Sequence, residues 1–216
     1  MSDPATVNWR QFAQEWRLGY GRTVYSVGAG SVTLESYNID VIHRKLLEEL
    51  VVKPEWAPYT SSWTEEDKHE LTFCWHRLKG WPDSSQWLGE LKKDKIIATL
   101  SNGNMRLLID MAKHANLPWD VIFSTELFNT FKPKPKAYLE TARHLSLPPH
   151  KCAMVAAHIY DLRAARELGM KTIYVPRPEE DPGVKDGEAI KSKEEGGEVD
   201  FVVNDFEGIV GLVRGE

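Results

Sequence analysis

The chain has 216 residues, of which 42% are hydrophobic and 27% charged, and its formal net charge is −5. This composition is that of a soluble globular protein with one sizeable core, or one core and a small lid. The negative charge and the lack of any Lys/Arg run longer than two argue against a nucleic-acid partner. No apolar run approaches the ~18 residues of a membrane span, and MSDPATVNWR is not a signal-peptide pattern. We therefore expect a cytoplasmic protein without a membrane partner, with Cys74 and Cys152 as buried free thiols in a reducing compartment.

The first part of the chain is rich in tryptophan and in helical patterns. Seven of the eight tryptophans lie within residues 1–87. Apolar spacing predicts a helical pattern over 5–27, interrupted by Gly19 and Gly21, and a helix over 32–52. Two more helices are predicted, one starting at a Thr64/Asp67 capping box and one capped by Asp83 and ending at Leu91. Residues 1–91 are thus predicted to be a helical domain whose aromatic side chains are core residues packed against the next domain.

From Lys95 onward, short apolar runs alternate with helical patterns. The predicted strands are Ile96–Leu100, Val121–Phe123, Cys152–Ala157, Thr172–Val175 and Phe201–Val203. Such alternation predicts an α/β domain over 92–216, with a parallel sheet covered by helices on both faces. The charged, glycine-containing residues 179–198 are predicted to be an exposed loop.

Polar residues follow the predicted strands at the edge where parallel sheets bind ligands. Ser101 and Asn102 come directly after the first strand, and His158 and Asp161 follow the third. Lys132 precedes the helix between the second and third strands. Ser101 and Asn102 suit an anion site at a helix start, but plain helix capping explains them equally well. A lone lysine is usually solvated, so the prediction of a site depends on the whole set.

Several segments resemble the haloacid dehalogenase superfamily, and more narrowly the 2-haloacid dehalogenases with a helical cap. LSNG is similar to the second motif of that group, FKPKPKAY to its lysine motif, and VAAHIYDLRAARELGMKTIYV to its fourth-motif region. EWRLGYGR and WHRLKGWPDS resemble parts of the cap. The resemblance implies a Rossmann-like α/β core below a helical cap.

The same resemblance implies roles for individual residues. Arg17 would face the departing halide or a second anionic group, and Ser101 and Asn102 would hold the substrate carboxylate. Lys132 would neutralise carboxylates in the pocket, and Asp161 would orient Lys132 and the attacking water. His158 stands where the group carries asparagine. We expect a small-molecule substrate, a homodimer, no cofactor and no metal, because one acid beside a histidine is a poor Mg²⁺ site.

The first motif of the family, an apolar strand followed by a nucleophilic aspartate, is not found in this sequence. The resemblance places that strand mid-sheet, between the strands near Ile96 and Cys152. A chain without it would close the gap, recruit another segment such as Thr23–Val27, or borrow a strand from a second copy.

Three functions stay open from the sequence. One is a hydrolytic 2-haloacid dehalogenase whose sequence starts late. Another is a repurposed enzyme that uses Lys132, His158 and Asp161 for acid–base chemistry on a small carboxylate or carbonyl compound. The third is a non-catalytic protein that binds a ligand or a protein partner.

Overall fold

The described elements before Ala98 are all helices, and from Ala98 onward strands alternate with helices. A computed structural model describes residues 7–28, 38–181 and 189–215. The first helices are α1 (Trp9–Gly28), α2 (Ile39–Val51), α3 (Ala57–Thr60), α4 (Glu65–Thr72) and α5 (Ser84–Leu91). The elements that follow are β1 (Ala98–Ser101), α6 (Met105–His114), β2 (Val121–Ser124), α7 (Pro135–His144), β3 (Ala153–Ala156), α8 (Ile159–Glu167), β4 (Lys171–Tyr174), β5 (Phe201–Val202) and α9 (Phe206–Arg214). Short 3₁₀ helices span Phe73–Arg77, Thr125–Phe128, Pro149–Lys151 and Lys193–Glu195.

Helix α1 continues through both glycines at which a break was predicted, so that prediction is wrong. Its buried residues Phe12 and Trp16 pack in the helical core, and this packing outweighs the ~1 kcal/mol that each glycine costs a helix. A Cβ at Gly19 would lie 3.2 Å from Leu46 Cδ2, whereas nothing lies within 4 Å of a Cβ at Gly21. Gly19 therefore allows α1 and α2 to approach closely.

The aromatic side chains of the helical segment pack against one another. Trp9 stacks on Trp63 at 5.9 Å and on Trp56 at 6.5 Å, and Trp16 meets Trp75 edge-on at 5.3 Å. Trp16 and Trp56 are core residues, as predicted, whereas Trp9 and Trp81 are 38% and 41% exposed, so the prediction is wrong for these two. These contacts lie within the helical segment, not between it and the strands.

Two predicted helix starts have different outcomes. The capping box of α4 is confirmed, because Asp67 N donates to Thr64 Oγ1 and Thr64 N donates to Asp67 Oδ2. Helix α2 begins at Ile39 with Asn38 as its N-cap. The predicted helix was to begin at residue 32, but residues 32–37 lie outside the described residues.

Asp83 does not cap α5 with its side chain, contrary to prediction. Its carboxylate instead accepts hydrogen bonds from Arg177 at 2.6 Å and from the backbone N–H of Phe206 at 2.9 Å. Helix α5 also packs on α9, with Leu91 in the same core cluster as Ile209. The start of α5 is therefore fixed by residues far along the chain. The domain boundary at residue 91 stays a prediction, although α5 packs with the strand-bearing part.

The strands are parallel and their predicted positions agree with the structure to within two residues. They form two sheets, β1 with β2 and β3 with β4 and β5, and the described residues show no ladder between β1 and β3. The register pairs Ser101 with Ser124 in one sheet and Ala156 with Tyr174 in the other. The predicted gap therefore lies between β1 and β3. Thr23–Val27 is part of α1 and does not fill it.

Helices cover both faces of the strands, which confirms the predicted α/β class. On one face, Ile173 and Val175 pack with α5 and α9. On the other face, Leu100 of β1 and Met154 of β3 share one cluster with Tyr138 of α7. Side chains thus join the two sheets where the backbone does not.

A buried histidine links the helical segment to α6. His76 is 2% exposed, and its Nδ1 lies 2.9 Å from Asp110 and its Nε2 3.0 Å from Asp40. Asn104 Nδ2 also donates to Asp40 at 2.9 Å. Each ring nitrogen of His76 thus faces a carboxylate oxygen, and the ring connects Asp40 of α2 to Asp110 of α6.

Two predictions about composition can be compared with the structure. Cys74 and Cys152 are free thiols, as predicted, but each is half-buried and not fully buried. Burial raises the pKa of both thiols. Among the described helices none has the length and apolar character needed to cross a bilayer.

Candidate active site

The site is organised around a buried ion pair that joins two loops. Lys132 Nζ lies 2.5 Å from Asp161 Oδ2, and Tyr138 Oη donates to Asp161 Oδ1 at 2.6 Å. The side chains of Lys132 and Asp161 are 13% and 3% exposed. Burial, followed by the Asp161 carboxylate, raises the pKa of Tyr138, so its hydroxyl stays protonated and donates. Both oxygens of Asp161 therefore have a partner, which is what a buried carboxylate requires.

Asn102 fixes the backbone on which Lys132 sits. Its Oδ1 accepts from Lys132 N at 2.7 Å and from Thr125 Oγ1 at 3.2 Å, and its Nδ2 donates to Lys132 O at 3.4 Å. The side chain is 8% exposed. The side-chain amide of Asn102 thus hydrogen-bonds both the N–H and the C=O of Lys132. It connects the loop that contains Lys132, here called the lysine loop, to the end of β1. Its predicted contact with a substrate carboxylate stays a prediction.

Ser101 ends β1 and shapes the turn into α6. Its Oγ accepts from Gly103 N at 3.0 Å, and a Cβ on Gly103 would lie 3.0 Å from Leu107 Cδ2. The helix itself begins at Met105, later than the predicted start at Ser101 to Gly103. Ser101 therefore does not cap α6. Its hydroxyl oxygen lies in the turn, next in sequence to Asn102.

His158 stands at the N-cap of α8 without using its side chain as a cap. Its Nε2 lies 3.7 Å from Glu180 Oε2, and its side chain is 33% exposed. Asp181, the next residue, accepts from the N–H of Ile159 at 2.7 Å. The loop after β4 thus places two carboxylates beside the start of the helix that carries Asp161.

Arg17 reaches the same loop from α1. Its guanidinium donates to Glu180 Oε2 at 2.7 Å, so Glu180 lies between Arg17 and His158. The six predicted site residues therefore form one chain of contacts and neighbours around the carboxyl ends of β1 and β3. Their roles toward a substrate stay predictions.

Comparisons with known proteins identify the family of the chain. The family model of the haloacid dehalogenase-like hydrolases matches residues 5–169, and a HAD-hydrolase-like model matches residues 130–209. The chain belongs to the haloacid dehalogenase-like hydrolases.

Solved L-2-haloacid dehalogenases are similar to the whole chain. The L-2-haloacid dehalogenase PA0810 is 33% identical, with a TM-score of 0.84 over 100% of this chain and 87% of that one. The defluorinating L-2-haloacid dehalogenase Rha0230 is 34% identical, with a TM-score of 0.82 over 96% of this chain and 82% of that one. An L-2-haloacid dehalogenase from Xanthobacter autotrophicus has 20% identity and a TM-score of 0.74 over 95% of this chain and 86% of that one, which shows the shared fold. No curated protein matches the sequence.

Two features of this haloacid dehalogenase-like site were missed from the sequence. Tyr138 was not predicted as a site residue, although it lies within the FKPKPKAY segment that carries the resemblance. Glu180 falls in residues predicted to be an exposed loop, yet its side chain is 27% exposed and ion-paired. Farther along that loop, Lys193–Glu195 forms a short 3₁₀ helix with a capping box from Ser192.

The site coincides neither with a cluster of metal ligands nor with the surface cavity beside Phe128 among the described residues. Within residues 7–28, 38–181 and 189–215, no three His, Cys, Asp or Glu side chains converge as metal ligands. A surface cavity of about 490 Å³ lies between Phe123, Phe128 and His144. It contains none of the six site residues, so the chemistry is better sought at the strand ends.

Proposed function

We propose that this haloacid dehalogenase-like hydrolase removes halide from small L-2-haloacids. The observation that carries the proposal is the buried Lys132–Asp161–Tyr138 cluster, held by Asn102 at the carboxyl ends of the strands. It occurs in a chain about one-third identical to two L-2-haloacid dehalogenases over at least 96% of its length.

A small anionic substrate suits the charges of this site. Lys132 is a buried cation, and an ammonium has more donors than the one hydrogen bond to Asp161 uses. We place the substrate carboxylate near Ser101 and Lys132, with the halogen on C2 directed toward the guanidinium of Arg17. Arg17 would then stabilise the halogen as it leaves with the bonding electron pair.

The reaction replaces the carbon–halogen bond at C2 by a bond to oxygen, and its net products are a 2-hydroxyacid, halide and a proton. Attack by a carboxylate through an ester, or attack by water directly, both require a water molecule to lose its proton. His158 is the partly exposed imidazole at this rim and would accept that proton. Asp161 would act by fixing the ammonium of Lys132.

Halide release by the purified protein tests this function. L- and D-2-chloropropionate, monochloroacetate and fluoroacetate are incubated with it, and the released halide is measured by ion chromatography. We expect release from the L-2-haloacid and a loss of about 10²–10³-fold in Lys132→Ala, because a preorganised charge at the reacting centre is removed.

Lys136→Ala is the matched control, since Lys136 is exposed in the same FKPKPK segment. It should leave halide release unchanged. Equal activity of Lys132→Ala and Lys136→Ala would exclude the proposed role of the cluster, and no halide release from any of these acids would exclude the proposed reaction.

The partly exposed position of His158 beside Glu180 favours one alternative function. It is the acid–base chemistry on a non-halogenated carboxylate or carbonyl compound that the sequence also allows. Solvent deuterium exchange at C2 of 2-hydroxy and 2-oxo acids, followed by NMR, tests it. Exchange that His158→Ala abolishes, without any halide release, would favour this alternative.

A further inference from the structure

In the loop after β4, the carboxylate of Glu180 contacts Arg17 at the position where an anion would bind. Glu180 Oε2 lies 2.7 Å from the Arg17 guanidinium and 3.7 Å from His158 Nε2. One carboxylate oxygen thus lies between the group predicted to bind the halide and the group proposed to take the proton.

The neighbouring ion pair of the same loop is more exposed than the Arg17–Glu180 pair, in which the Arg17 side chain is 53% exposed. Glu179 pairs with Arg10 at 3.3 Å, and those two side chains are 73% and 79% exposed. The Glu180 side chain is 27% exposed and faces the site. The backbone on either side is held in place, by Arg177 on Asp83 and by Asp181 on the N–H of Ile159.

We propose that Glu180 is a specificity-determining residue that occupies the anion position on Arg17, so that a halide or a second anionic group must displace its carboxylate. A neutral C2 substituent leaves the Glu180–Arg17 pair in place, whereas a departing halide competes with it. The internal carboxylate therefore lowers the affinity of the site for free halide and favours release of that product. The inference rests on the proposed function, because it takes Arg17 to face the halogen.

Bromide binding tests this without any turnover. Line broadening of ⁸¹Br in NMR is followed as bromide is added to the full chain at constant ionic strength. We expect Glu180→Gln to bind bromide about fivefold more tightly than the wild type, which is the upper end for loss of a partly exposed ion pair. A glutamine can still accept a hydrogen bond from Arg17, so Glu180→Ala is measured beside it and should gain at least as much.

Glu179→Gln is the matched control, since it removes the same charge from the adjacent position of the same loop. Its bromide affinity should equal that of the wild type. Arg17→Gln combined with Glu180→Gln should lose the gain, and circular dichroism checks that each variant is folded.

Three results would overturn the proposal. They are an unchanged affinity in both Glu180 variants, an equal gain in Glu179→Gln, and a gain that persists without Arg17. A gain limited to the Glu180 variants, in a protein that releases no halide from 2-haloacids, would support the anion position and reject only the proposed reaction.

Discussion

Aspartates stand at both edges of the strands, but their partners differ. At the carboxyl edge, Asp161 accepts from the side chains of Lys132 and Tyr138, which come from another loop and another helix. At the amino edge, Asp200 accepts from the backbone N–H and the hydroxyl of Thr172, each at 2.9 Å, and Asp120 accepts from Ile97 N. The amino-edge acids join one strand start to its neighbour. Lysines also contact the amino-edge acids, so Asp161 is further set apart by its depth: its side chain is 3% exposed, against 10% for Asp200 and 30% for Asp120.

Asp161→Asn should have the largest effect, because it leaves the Lys132 ammonium buried without a counter-charge. We expect a loss of about 3–5 kcal/mol in the free energy of unfolding. Halide release should also fall by about 10²-fold or more. Urea unfolding followed by circular dichroism and ion chromatography measure the two quantities.

Asp120→Asn is the matched change at the other edge. It should leave halide release per folded molecule unchanged, since Asp120 contacts Ile97 N and Lys92 Nζ, away from the carboxyl edge. Loss of activity in Asp120→Asn, or full activity in Asp161→Asn, would remove the distinction between the edges.

His76→Ala gives a third case for comparison, because buried His76 contacts two carboxylates that lie at neither edge of the strands. The change leaves Asp40 and Asp110 without the ring nitrogens that both contact, and we expect a loss of roughly 3 kcal/mol in unfolding free energy. Halide release per folded molecule should not change. A specific loss of activity at full stability would show that this helical link takes part in the reaction.

Asp200→Asn should show a pH dependence that identifies a structural carboxylate. Burial alone would raise the pKa of Asp200, but hydrogen bonds from Lys193, Thr172 and Lys171 outweigh burial and lower it to about 2. A lowered folded-state pKa contributes stability above the unfolded value of 3.8, and this contribution is lost as the pH falls from about 4 to about 2.

The wild type should therefore exceed Asp200→Asn by about 2 kcal/mol at pH 7, and by little near pH 2. Urea unfolding at a series of pH values measures the difference. Glu194→Gln, in the same segment but exposed, should show no such difference. A gap between wild type and Asp200→Asn that does not narrow in acid would contradict the assignment.

The smallest expected effect distinguishes two glycines of α1. Gly21→Ala should raise the unfolding free energy by about 0.5–1 kcal/mol, because alanine favours the helix and nothing obstructs its Cβ. Gly19→Ala should gain less or lose stability, since its Cβ would press on Leu46. Thermal unfolding of both variants measures the contrast, and an equal gain in both would show that α2 adjusts without cost.

The strands were predicted well because each is a short apolar run, and such a run has few alternatives in an α/β chain. The start of α4 was also predicted, since Thr64 and Asp67 are partners only three residues apart. Local patterns carry this information.

The errors concern partners that are distant in sequence. Asp83 resembles a helix cap, but its side chain is engaged by Arg177 and Phe206, which are 94 and 123 residues away. Glu180 sits in a charged stretch typical of a solvated loop, and only the position of Arg17, 163 residues earlier, reveals its contact. Lys132 and Asp161 were predicted from strand order. The hydrogen bonds of Asn102 to the backbone of Lys132 could be recognised only from the structure.

The separation of β1 from β3 has a mechanical consequence for catalysis. Asn102 ties the lysine loop to one sheet, and α8 carries Asp161 from the other, so the 2.5 Å ion pair spans two sheets that no backbone ladder joins within the described residues. The distance between Lys132 Nζ and Asp161 Oδ2 therefore depends on the separation of the two sheets. A substitution beneath the strands, at Leu100 or Met154, could alter the rate by changing that spacing while every polar group of the site stays in place.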